Sequence, residues 1–432
     1  MSVEDRLRAA ARARTDVVTS VRPLELPGEL PAPVRRNRRT SRWFSWGAPI
    51  AAAAVVTALA LTLALLRQAD GTQPRPSVST SDSAAAASIP RYYVELAYTG
   101  STSSQMKAIV GDDRNGRLIA DLHPTASQNF YGVTAAADDR TFVVMNYDNL
   151  NPQTTWYLLR IAPYTAHPAR LTKLPIKPVF AHVSGLALSP DGRELAVMWR
   201  TATTQTNAVS WLAVYSMSSG AKLATWVTYG DNENLIGGPN EAGLSWVNGD
   251  RGLDFRWATP PRVSKSGKVV TPGKLTIRAV DVTAGPHDLL ADSRVVMQFP
   301  RSVTQQKTRT FVTPCASSLA ARNGSVVCGT VAASWVSGEE GCRYVQPSFL
   351  SYSAAAGKVL YRYQGNCLNG QSEVLWTDPS GSHAIAFLLL AFKGVKASAG
   401  DKFGVVGGGR LTPLPALIVP SGAVDSAGSI AF

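Results

Sequence analysis

Histidine and cysteine are scarce in this chain, five and four residues in 432. That scarcity removes much chemistry at the outset. His123, His167, His182, His287 and His383 show no metal-ligand spacing and read as surface or turn residues. Cys315, Cys328, Cys342 and Cys367 form no C-x-x-C, so zinc and thioredoxin-like redox chemistry lack a motif. There is no Gly-x-Ser-x-Gly elbow. Gly404 to Gly409 lacks the order of a dinucleotide loop and reads as a hairpin turn. Charged residues make up only 17% of the chain, and no Lys/Arg cluster with interleaved aromatics points to nucleic acid. Asp112-Asp113, Asp138-Asp139 and the run Asp231, Asn232, Glu233 fit exposed turns better than calcium. No catalytic, cofactor-binding or metal residue is assigned, and no cofactor is expected.

Long apolar runs are equally rare, which makes the single one informative. Gly47 to Leu66 is twenty residues without a charge, ~30 Å as a helix and about one bilayer core. Arg35, Arg36, Arg38, Arg39 and Arg42 precede it, and Trp43 and Trp46 stand where an interfacial aromatic belt belongs. The expectation is a single transmembrane helix with the N-terminus in the cytoplasm and the remainder outside. Arg38-Arg39-Thr40-Ser41 is loosely similar to a twin-arginine signal. The run is too long for an ordinary signal core, however, and no small-x-small site follows Leu66 directly. Of the net charge of +13, residues 1–66 carry +5, from ten Arg against five acids; the excess beyond them is dilute. Four domains follow. Residues 1–46 form a cytoplasmic arm with a short helix over 2–18 and the arginine block. Residues 47–66 form the membrane helix, and 67–90 a Ser/Pro/Ala-rich tether. Residues 91–432 form an extracytoplasmic body, a compartment that permits disulfides.

Within that body no long helical period occurs, and strand-like segments alternate with turn signals. Leu186 to Met198 is an apolar strand, a Ser189-Pro190-Asp191-Gly192 turn and a second apolar strand. The same shape recurs, with decay, at Val133–Met145, Leu244–Phe255, Leu319–Cys328 and Leu375–Phe387. Their first residues are spaced by 53, 58, 75 and 56. A second kind of hairpin lies between them, at Lys107–Leu122, Thr155–Leu174, Trp211–Trp226, Leu275–Leu290, Phe349–Tyr361 and Phe403–Leu417. Two hairpins per ~55 residues make a four-stranded unit that must pack radially, as in a β-propeller. Six outer hairpins against five inner ones leave one pair missing. Tyr92–Tyr98 and Gly428–Phe432 can supply it and close the ring. The fold class is therefore all-β, a six-bladed propeller within a range of five to seven, behind one N-terminal transmembrane helix. Trp156, Trp199, Trp211, Trp226, Trp246, Trp257, Trp335 and Trp376 alternate with apolar partners and are expected between blades.

The Ser-Pro-Asp-Gly turn followed by Leu-Ala-Val resembles the blade signature of TolB-like and WD40-like propellers, over roughly residues 91–432. Asp378-Pro379-Ser380-Gly381 is a fair second copy, and the Gly-His/Trp-Asp pair of WD40 repeats is missing. The layout is similar to membrane-anchored propeller proteins of actinobacteria, some associated with sigma-factor regulation. In a six-blade register the cysteines pair as Cys315–Cys328 and Cys342–Cys367 within one blade. Each bond closes a short loop and is worth on the order of 3 kcal/mol.

The expected function is non-enzymatic binding or sensing by the external propeller, of a protein or cell-envelope ligand. Asn232, Glu233, Glu339 and Glu340 are the candidate contacts in long loops. One alternative is a cytoplasmic arm that binds a sigma factor or another regulator and makes the protein a signalling component. The other is a propeller hydrolase or lyase acting on an extracellular small molecule. The expected partners are the lipid bilayer, the envelope ligand and that regulator, with no nucleic acid.

Overall fold

The structure is a computed structural model. It describes residues 89–98, 105–125, 128–148, 153–165, 168–201, 209–229, 242–259, 262–263, 269–271, 273–285, 287–300, 303–305, 310–334, 347–353, 356–363, 369–391, 402–414 and 430–432. The expected membrane helix at 47–66, the arm, the tether, Arg35, Arg36, Arg38, Arg39, Arg42, Trp43 and Trp46 lie outside these residues. Among the described residues no helix is long and apolar enough to cross a membrane.

Six four-stranded antiparallel blades follow one another along the chain. Blade 1 holds β1 (Tyr92–Tyr98), β2 (Met106–Asp112) and β3 (Arg117–Leu122). Blade 2 holds β4 (Gln128–Ala135), β5 (Thr141–Asp148), β6 (Thr154–Ile161) and β7 (Ala169–Lys173). Blade 3 is β8 (His182–Leu188), β9 (Glu194–Thr201), β10 (Val209–Ser216) and β11 (Lys222–Tyr229). Blade 4 is β12 (Ser245–Val247) and β13 (Gly252–Thr259), then a side hairpin of β14 (Arg262–Val263) and β15 (Val269–Thr271), then β16 (Lys274–Asp281) and β17 (Arg294–Pro300). In blade 5 the short β18 (Val303–Gln305) pairs onto β19 (Thr310–Ala320), followed by β20 (Val326–Ser334), β21 (Ser348–Ser353) and β22 (Ala356–Arg362). Blade 6 is β23 (Asn369–Thr377), β24 (Ala384–Ala391), β25 (Lys402–Gly407) and β26 (Arg410–Pro413). Finally β27 (Ile430–Ala431) returns to blade 1 as its innermost strand, pairing Ala431 with Val94 and Ile430 with Glu95. The expected closure of the ring by strands from both ends of the domain is thus observed.

The blades hold together face to face. The six main clusters of buried apolar side chains fall one to each seam between neighbouring blades. The second strand of a blade is covered on both faces, so it reads as a continuous apolar run such as Leu195–Trp199, buried throughout. Trp156 and Trp226 are fully buried, and Trp199, Trp246 and Trp257 nearly so, as expected for blade-to-blade core.

One hairpin differs from the expectation. The segment Leu275–Leu290 is not a strand pair. A one-turn helix α1 (Leu289–Asp292) intervenes, and the partner of β16 is Arg294–Pro300. Asp288 starts this turn by accepting hydrogen bonds from the Leu290 and Ala291 amides, while Leu289 is completely buried against blade 3.

Candidate functional site

The up-and-down order gives the ring two unlike faces. First-to-second and third-to-fourth strand turns leave from one, and second-to-third and blade-to-blade connections from the other. The first is the turn face, the second the loop face. The longest connections, 230–244, 335–347 and 414–429, all join strand ends at the loop face, as does the β14–β15 hairpin. The chain enters β1 at the turn face.

On the turn face, tight turns lock onto one another. Ser189 Oγ donates to Asp191 at 2.7 Å and accepts from the Arg193 and Glu194 amides, with Gly192 at a φ of +72° where a side chain would strain. Burial works to raise the Asp191 carboxyl, but Ser189 and the Arg193 amide hold it below its ordinary value. Neighbouring turns bond directly: the Ala137 amide to Pro190 O at 3.1 Å, the Asn248 amide to Arg322 O at 3.0 Å, the Asn323 amide to Pro379 O at 3.2 Å. Arg91 joins blade 1 to blade 2. Its amide donates to Asp139, and its guanidinium to Asp112 at 2.9 Å and to the Tyr164 hydroxyl at 3.2 Å.

The central channel forms a cavity of about 200 Å³ walled by the innermost strand of every blade. Four of its polar side chains bond across seams. Thr134 Oγ1 accepts from the Leu188 amide at 3.2 Å, and Ser245 Oγ from the Ala320 amide at 3.2 Å. Ser317 Oγ donates to Ser372 O at 2.6 Å, and Trp246 Nε1 to Ala187 O at 3.0 Å. Each of these bonds crosses a seam, and Leu186, Leu375 and Phe432 line the channel beside Ser318, Arg322 and Thr377.

One turn sets a serine, a histidine and an aspartate side by side, but not as a relay. Ser382 Oγ and Asp378 Oδ2 both meet the same ring nitrogen, His383 Nδ1, at 3.0 and 3.2 Å. A nucleophilic triad needs its serine and its aspartate on opposite ring nitrogens. Burial works to raise the Asp378 carboxyl, and bonds from Ser382, His383 and Ser380 outweigh it and hold it low. This is turn architecture, the blade 6 counterpart of the Ser189 turn.

Six acids are perturbed the other way, Glu194 and Asp250 by burial and the nearby Asp191, and four others further. Burial pushes Glu95, Glu373 and Asp254 up to about 7, the last partly opposed by Arg294. Burial and the neighbouring Asp112 push Asp113 up to about 6. Sequence reasoning passed over all but Asp113, and treated that one as an exposed turn acid. The available signal was an acid at an interior position of an apolar strand, as in Tyr-Tyr-Val-Glu-Leu-Ala-Tyr. Of the other paired turn acids, Asp112 is committed to Arg91, and Asp138 accepts from the Thr141 amide and hydroxyl. No group of three or more His, Cys, Asp or Glu among the described residues is placed to hold a metal ion.

Cys315 and Cys328 form the expected disulfide, joining β19 to β20 with their Cα atoms 4.6 Å apart, buried against blade 4. Cys342 and Cys367 lie outside the described residues. So do Asn232, Glu233, Glu339 and Glu340, which fall in sequence between strands whose facing ends lie at the loop face.

No protein-family model matches the chain, and no curated protein matches it in sequence. Among solved structures, hydrazine synthase of Kuenenia stuttgartiensis is 13% identical, with a TM-score of 0.40 over 73% of this chain and 79% of that one. A protein described as TolB from Agrobacterium tumefaciens is 11% identical, with a TM-score of 0.38 over 75% of this chain and 88% of that one. A periplasmic gluconolactonase of Pseudomonas aeruginosa is 13% identical, with a TM-score of 0.33 over 76% of this chain and 99% of that one.

Proposed function

We propose that the protein is a membrane-anchored, non-enzymatic binding module that recognises a protein or envelope ligand through the loop face of its propeller. The observation that carries this reading is the asymmetry of the ring. All of its longest connections serve one face, while the other is tied down by turn-to-turn bonds. A scaffold whose longest connections all leave from one face suits recognition. The channel supports the same reading, because its Thr134, Ser245 and Ser317 hydroxyls already serve neighbouring blades. The apolar run Gly47 to Leu66 and its arginine block support the membrane anchor.

The test is in-cell crosslinking of the full chain against two variants. In one, 231–241 and 336–345 are replaced by short Gly-Ser segments. In the other, Arg193→Ala and Asp250→Ala alter the turn face. Loss of the crosslinked envelope partner in the first variant alone is the expected result. Capture that ignores the loops, or a stoichiometric metal with hydrolytic turnover in the purified protein, overturns the proposal. A third variant lacking 2–34 tests the signalling arm: a cytoplasmic partner captured only with the arm present would assign it that role.

A further inference from the structure

The seam where the ring closes differs from the other five. β27 contributes two residue pairs to blade 1, whereas β8 contributes six to the equivalent place in blade 3. The seam packs Tyr93, Ile430 and Phe432 of blade 1 against Ile385 and Val405 of blade 6. The Phe432 ring lies 5.8 Å from Tyr93 and 5.9 Å from Phe403.

Two carboxyl groups face this apolar joint from opposite sides, Glu95 buried and Glu373 half-buried. Strand alternation places Glu95 on the face of Tyr93, toward blade 6. Glu373 stands opposite Phe387, on the face of blade 6 that carries Ile385 and Val405. Glu95 is 1% exposed, and its Oε2 has no hydrogen-bond partner. The other charged or titratable groups on these faces are accounted for strand by strand. β1 adds Tyr93. Lys107 of β2 is paired with Asp121 of β3, which also meets His123, and Asp113, just past the end of β2, is a further buried acid beside Tyr93. The His383 ring lies over Gly407 of β25 at the turn end, and Arg410 of β26 is exposed. The described side chains of β24, β25 and β27 on these faces are apolar or glycine. Among the described residues neither Glu95 nor Glu373 has an ion-pair partner.

We propose that this seam is a proton-controlled clasp: protonated Glu95 and Glu373 hold β27 in the ring, and their ionisation lets β27 part from β1. An ionised carboxylate in an apolar joint without a cation is strongly disfavoured, whereas a neutral carboxyl is tolerated. Burial moves both groups from 4.5 up to about 7. For an acid raised in the closed state, closure is fully favoured below about 4.5 and loses ground until pH passes about 7.

Hydrogen exchange of the full chain at pH 5 and pH 8, corrected for intrinsic rates, tests this. The readout is the amides of Val94–Glu95 and Ile430–Ala431, with β8–β9 as the internal reference. Protection at the clasp should fall by about tenfold or more at the higher pH, while β8–β9 changes little. The variant Glu95→Gln/Glu373→Gln should abolish that dependence, and Asp254→Asn, in the seam between blades 4 and 5, should preserve it. Wild-type protein alone decides the matter if the double variant fails to fold. A clasp no more pH-sensitive than β8–β9 overturns the proposal, as does a pH dependence that survives in the double variant.

Discussion

A methyl group at Gly329 would stand 2.1 Å from the Ser372 carbonyl oxygen of the next blade and 2.6 Å from Ser317 Oγ. The Ser317–Ser372 bond holds that oxygen in place, so the blades would have to separate. Gly329→Ala should therefore lower stability by about 3 kcal/mol. Gly249→Ala meets nothing within 4 Å and suffers only its φ of +65°, for about 1 kcal/mol. Urea unfolding of the two variants checks the ranking, and equal losses would contradict the blade contact. At this scale the sequence was legible in its turns and silent in its seams. Ser189-Pro190-Asp191-Gly192 announces its own geometry, because the hydroxyl, the carboxylate and the left-handed glycine all act within five residues. Glu95 and Glu373 could not be paired by reading, since 278 positions separate them and only ring closure brings them to one joint.

At the scale of elements, hairpins were the easiest feature to read. Alternation and turn chemistry are local, so all five inner pairs lie where the repeat put them. The outer hairpin of blade 4 was misread because its second strand was sought directly after the first turn. The capped turn α1 and Leu289, buried against blade 3, supply a tertiary reason for the insertion that alternation cannot reveal. The long loops gave no pattern to read, and the candidate contacts there rest on loop length and composition alone. In blade 5 the Cys315–Cys328 bond crosses an irregular register, shifted between Thr313 and Ser317, with Cys315 at a φ of +54°. Replacing both cysteines by alanine should cost about 2–3 kcal/mol and leave the fold intact. Thermal unfolding with unchanged far-ultraviolet circular dichroism is the expected outcome; collapse of the spectrum would mean that the bond, rather than the blade, holds this register.

For the whole molecule, buried acids and ring closure act together. Glu95, Glu373, Asp254 and Asp113 all bind protons more tightly in the folded state than their ordinary values allow. Stability should therefore be greatest in mild acid and decline as pH rises through about 7. Melting temperatures measured from pH 5 to pH 8 check this, and Asp254→Asn should flatten part of the slope. A flat profile would mean that these carboxyls are solvated. Closure itself has a consequence for the order of synthesis. A chain emerging from its N-terminus completes blades 2 to 6 from their own strands, but blade 1 waits for the last three residues described, 430–432. Until they arrive, β1 keeps an unpaired apolar edge, open to any passing strand. Translation stalled just short of residue 430 would leave a nearly complete ring that is sticky at one place. Whatever escorts the nascent chain has that inner edge to guard until residue 430 is made.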